Sequence, residues 1–83
     1  MEYILQLAPN AEKALEKIDN RYKPRILEAI ISIRQDPYIG KRLDGQRKDE
    51  WSYRVWPYRI IYQIYKDTLL ILVIRIGHRQ GVY

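Results

Sequence analysis

Arg54 and Arg59 stand on either side of Trp56-Pro57. If that pair is a two-residue turn between strands, Val55 faces Tyr58 and Arg54 faces Arg59. Directly opposed residues share a face of the sheet, with Cβ atoms roughly 5 Å apart. Two guanidinium groups placed so repel each other, and a strand pair gains nothing from them. The arrangement makes sense if an anion sits between them, because the planar fork of arginine matches a phosphate. Trp-Pro is not a favoured two-residue hairpin loop. A one-residue slip would send the arginines to opposite faces. Two solvated arginines on an exposed face are the plain alternative.

A second group closes the chain: Ile76-Gly77-His78-Arg79-Gln80-Gly81-Val82-Tyr83. Histidine moves protons near neutral pH. Arginine stabilises charge developing on a phosphorane. Tyrosine stacks on a base or donates through its phenol. These are parts that a ribonuclease could use. A solvated polar tail is the alternative. Asp49 and Glu50 are weaker candidates, since adjacent acids before a strand are usually surface residues. Gly40-Lys41 is followed by Arg42 rather than Ser or Thr, so it is not a phosphate loop.

Composition narrows the chemistry further. The chain has 83 residues, no cysteine and one histidine. Disulfides, thiolate nucleophiles, iron–sulfur clusters and multi-histidine metal sites are excluded. No run of 18 apolar residues exists, so no membrane span is expected. No signal peptide is expected either, and the expected address is the cytoplasm. The length suits a single domain over residues 1–83. The net charge of +5 lies wholly in residues 41–83, which also hold five of the eight tyrosines and both tryptophans. Basic side chains interleaved with aromatics suit a polyanion with stackable bases. A solvated basic face gives the same composition.

These residues need elements to position them. Residues 2–7 alternate as a short strand. Leu7, Ala11, Ala14, Leu15 and Ile18 mark one face of a helix that opens at Ala8-Pro9-Asn10 and ends near Asp19. Asn20 is the expected N-cap of a second helix. Its stripe is Tyr22, Ile26, Ala29, Ile30 and Ile33, widened by Leu27 and Ile31, and Asp36-Pro37 stops it. Residues 38–49 read as a basic loop with a short edge strand at 41–44. Residues 50–56, 58–65 and 69–76 read as strands, with turns at Trp56-Pro57 and Lys66-Asp67. The apolar run 69–74 should be central and covered on at least one face. The expected fold is α+β in two layers: an N-terminal strand, an αα-hairpin, then a mainly antiparallel sheet.

Three motifs are familiar. Tyr53-Arg54-Val55-Trp56-Pro57-Tyr58-Arg59-Ile60-Ile61-Tyr62-Gln63-Ile64 resembles the "YR(L/V)…(Y/F)RIIYxI" hairpin of RelE/ParE-superfamily toxins. Arg75 to Tyr83 resembles their "RVGHRxxVY" ending. Pro37 to Gly45 resembles their "P…GxxLxG" loop. The resemblance covers nearly the whole chain and its β-α-α-β-β-β order, and it is nearest the RelE-like members. It implies a toxin of a type II toxin–antitoxin system that cuts mRNA on the ribosome by metal-free 2′-hydroxyl attack, with no cofactor. A cognate RelB-like antitoxin, the ribosome and mRNA are the implied partners.

By position the resemblance gives Arg59 the phosphate and the transition state. Arg79 becomes a charge stabiliser and proton donor, and Tyr83 a base-stacking residue. Some RelE-like members carry two lysines on the strand before the hairpin arginine. Here those positions fall at Glu50 and Ser52, or at Ser52 and Arg54, and neither register supplies a lysine. Arg54 and His78 complete the candidate catalytic set, with His78 as substitute base. Lys41, Arg42, Arg47, Lys48 and Ser52 are the expected RNA contacts. The rival readings are a ParE-like toxin directed at DNA gyrase and an inactive antitoxin-binding homologue.

Overall fold

The computed structural model describes residues 2–45 and 49–78. Strand β1 (Ile4–Leu7) leads into helices α1 (Pro9–Lys17) and α2 (Lys23–Gln35). A single 3-10 turn, Pro37–Ile39, precedes strands β2 (Lys41–Arg42), β3 (Trp51–Val55), β4 (Tyr58–Tyr65) and β5 (Leu70–His78). The strands form one sheet in the order β1-β5-β4-β3-β2, antiparallel except for the β1–β5 pair. β5 is thus an interior strand, as its apolar run requires.

Each helix carries a proline in its first turn, Pro9 in α1 and Pro24 in α2, where no internal bond is lost. Ala11 and Ile18 of the first stripe are buried, and so are Ile26, Ala29 and Ile33 of the second. Leu27 and Ile31 lie outside that stripe and are exposed. They are each one residue, or about 100° of helix turn, beyond Ile26 and Ile30. Asn20 is not the cap of α2. Asp19 organises the joint instead: its carboxylate accepts the Arg21 backbone N–H at 2.8 Å, and its carbonyl accepts those of Tyr22 and Lys23. That backbone bond, then the Arg21 guanidinium, holds the Asp19 carboxyl below the usual carboxylate range.

The sheet has two unlike faces. Trp51, Tyr53, Val55, Tyr58, Ile60 and Tyr62 share the face that meets the helices, with Ile71, Val73 and Ile76 of β5. Ser52, Arg54, Arg59 and Ile61 share the other. A β-bulge between Ile61 and Tyr62 sets β5 in phase: Ile61 pairs Arg75, whereas Tyr62 pairs Val73. Ile74 is the extra residue.

Tyr62 ties the 3-10 turn to this sheet. Its buried hydroxyl donates to the Pro37 carbonyl at 2.7 Å and accepts the Gly40 N–H at 3.2 Å. A Cβ on Gly40 would lie 2.5 Å from the Tyr62 oxygen and 2.8 Å from the Ser52 carbonyl oxygen. The second of these is paired backbone and has no freedom to swing aside. Gly40→Ala is therefore expected to lower stability by about 1–3 kcal/mol. Urea unfolding checks this, and an unchanged midpoint would show that the segment moves aside freely.

Candidate functional site

The β3–β4 hairpin carries the site. Its turn is Trp56-Pro57, with a cis peptide bond, the form that proline takes at the third position of a four-residue turn. The register pairs Val55 with Tyr58 and Arg54 with Arg59. The two arginines do face each other, on the side of the sheet away from the helices. Across β4, Arg59 pairs with Gly77, which has no side chain to fill the space beside it. One row further from the turn, Lys41, Ser52, Ile61 and Arg75 follow one another across β2, β3, β4 and β5. Ser52 and Ile61 are buried. The result is a low floor with cations rising from it.

A groove of about 540 Å³ occupies part of this face, lined by Lys41, Ser52, Arg54 and Arg59 with Ile39, Gly40, Leu43 and Tyr53. Opposed like charges on paired strands cost roughly 0.2–1 kcal/mol. A bound anion reverses the sign of that contribution, because each guanidinium then makes a charge-assisted bond. The groove therefore suits a phosphate group. Lys41 and Tyr53 are the titratable groups other than arginine among the described lining residues.

The structure brings together four of the expected residues, Lys41, Ser52, Arg54 and Arg59. It does not bring His78 or Arg42 to them. His78 pairs with Tyr58 on the helix-covered side and packs edge-on against the Tyr58 ring, centroids 5.6 Å apart. Arg42 pairs with Trp51 on that same side and lines a separate cavity of about 580 Å³ with Tyr38, Asp49 and Trp51. Arg47, Lys48, Arg79 and Tyr83 lie outside the described residues. Arg75 joins the basic face although sequence reasoning did not single it out. Its side depends on the bulge, for which the sequence carries no plain mark.

Among the described residues no group of three or more His, Asp or Glu is placed to hold a metal ion. No helix of the described residues is long and apolar enough to cross a membrane.

Comparison with known proteins places this architecture. A family model described as the ParE toxin of the type II toxin–antitoxin system parDE matches residues 5–83. Toxin RelG of Mycobacterium tuberculosis is 27% identical over 89 aligned residues, an alignment that covers 100% of this chain and 98% of that protein. A chain of the toxin–antitoxin complex RelBE2 from M. tuberculosis superposes with a TM-score of 0.87 at 23% identity, covering 95% of this chain and 100% of its own. The isolated RelE toxin of E. coli gives 0.80 at 22% identity, over 92% of this chain and 83% of that one. The archaeal RelE–RelB complex of Pyrococcus horikoshii gives 0.81 at 22% identity, with both chains fully covered.

Proposed function

The chain belongs to the ParE toxin family of type II toxin–antitoxin systems, and from that premise we propose that it is a ribosome-dependent mRNA endonuclease. The observation that carries this reading is the facing pair Arg54 and Arg59 above a shallow groove, with Lys41 beside it and Arg75 on the same face. A cleft of that kind suits the backbone of a single RNA strand.

The reaction is attack of a ribose 2′-oxygen on the adjacent phosphorus. The new O–P bond forms as the bond from phosphorus to the 5′-oxygen breaks, leaving a 2′,3′-cyclic phosphate and a 5′-hydroxyl. Arg54 and Arg59 hold the non-bridging oxygens and stabilise the charge that grows on them. The 2′ proton leaves to water, and the Lys41 ammonium supplies the proton that the 5′-oxygen takes up. The two arginines act by charge and not by proton transfer. The family resemblance gives Arg79 the role of a further charge stabiliser and Tyr83 that of a base platform. The ribosome supplies the substrate orientation that a shallow groove does not.

A RelB-like antitoxin is the proposed partner, since two of the structural relatives come from such complexes. It neutralises part of the +5 charge. The affinity of the pair is expected to fall as salt rises; salt-insensitive binding would count against an electrostatic share.

Cell-free translation with mapping of mRNA 5′ ends tests the main reading. Cuts within codons that appear only when ribosomes are present support it, and intact mRNA with continued translation overturns it. The second reading, a gyrase-directed toxin, is favoured by the ParE description of the matching family model. Inhibition of supercoiling by purified gyrase would establish it.

A further inference from the structure

Trp56 sits at the tip of the β3–β4 hairpin and is 53% exposed. Beside it runs a second groove, of about 330 Å³, between α2 and the outer edge of β3. Arg25, Glu28 and Ser32 line it from the helix, and Tyr53, Arg54 and Trp56 from the hairpin.

This groove adjoins the first. Tyr53 and Arg54 line both. The reason lies in the sheet order: β2 pairs with Trp51 and Ser52 and stops there, so no described strand flanks Tyr53 to Val55 on that side. A chain lying between Arg54 and Arg59 therefore meets no described strand as it passes over the β3 edge. It arrives at Trp56, between Arg54 on the strand and Arg25 on the helix. Cations that track a backbone, with an aromatic face beside them, are what single-stranded nucleic acid uses. A peptide partner would need less cationic charge along this path.

We propose that Trp56, Arg25 and Arg54 form a subsite for the nucleotide flanking the cleaved phosphate. Its base stacks on the Trp56 indole, and its phosphate lies between the two guanidinium groups. Ser32 and Glu28 stand where they can meet polar edges of the base. This subsite rests on the RNA-cleaving reading above and adds to it a contact outside the cleaved step.

The test uses the whole protein on ribosomes programmed with an mRNA whose 2′-oxygen at the cut position is methylated. 4-Thiouridine is placed one nucleotide to either side. Trypsin cuts after Arg54 and Arg59, so adducts at the tip appear on the peptide 55–59. Near-ultraviolet crosslinking is expected to label Trp56 in that peptide from one flank only. Trp56→Ala should remove the adduct and lower kcat/KM on unmethylated message about 5- to 150-fold, the equivalent of about 1–3 kcal/mol of stacking. Trp56→Phe should restore most of the activity, and Arg25→Gln should weaken the adduct. Cleavage of unmethylated message with adducts on other peptides alone would overturn the subsite and leave the endonuclease reading intact. Absence of both cleavage and adduct would overturn the two together.

Discussion

Arg59→Ala is expected to lower ribosome-dependent cleavage about 100- to 1,000-fold while the protein stays folded. The magnitude is that of losing one preorganised donor to charge that develops in the transition state. Arg59 faces Arg54 across the hairpin and Gly77 across the sheet, so its side chain rises at the centre of the basic face. Its direct partner on β5, Gly77, has no side chain to take its place. The variant also relieves the like-charge pair with Arg54. Arg59→Lys separates charge from geometry. It keeps the cation and loses the planar fork, so partial activity is expected. Toxin induction in cells gives the first readout, and primer extension on translated message gives the rate. Full activity in Arg59→Ala would remove the groove from the mechanism.

The hairpin shows how far the sequence reaches. Val55-Trp56-Pro57-Tyr58 could be read as a turn, and the facing arginines followed from counting outward from it. What composition could not settle was whether Trp-Pro makes a two-residue loop at all. The structure answers with the third-position proline geometry. The far end of the sheet was harder. Counting back from the Tyr65–Leu70 pair would set Arg75 opposite Ile60, among buried core residues. One bulged residue, Ile74, moves it opposite Ile61 and onto the open face. The same bulge places Ile76 in the core and turns His78 towards Tyr58. A single unpaired residue inside an apolar run leaves no pattern, since every candidate there is Leu, Ile or Val. The helices were more legible because their stripes repeat over several turns. Their joint was not. Neither Asn20 nor Asp19 caps α2, whose N-cap is Tyr22; the Asp19 carboxylate takes the Arg21 N–H instead, a contact with no sequence period. Arg42 parts from Lys41 for a plainer reason: neighbouring residues on a strand take opposite faces.

Tyr62→Phe is the second change of large expected effect, and it acts on the fold beneath the groove. The hydroxyl is buried at the centre of the sheet and serves two backbone groups, the Pro37 carbonyl and the Gly40 N–H. Removing it leaves both short of a partner, which costs about 1–3 kcal/mol. A chain of this length has roughly 4–12 kcal/mol in total, so the loss should be plain in urea. It should also reach function, because Gly40 adjoins Lys41 and a loosened turn lets the ammonium drift from Arg59. Alkaline pH gives an independent check. Burial pushes the Tyr62 phenol up to about 12 from an ordinary value of 10.0. The unfolded chain therefore loses this proton first as pH rises. The stabilisation is complete below about pH 10 and is lost between about pH 10 and 12, by about 2–3 kcal/mol. Wild type and Tyr62→Phe should converge in stability over that window, since the other titrating groups are common to both. Parallel pH curves would mean that the phenol is solvated in the folded protein, and that the turn is held at Pro37 and Gly40 by something else.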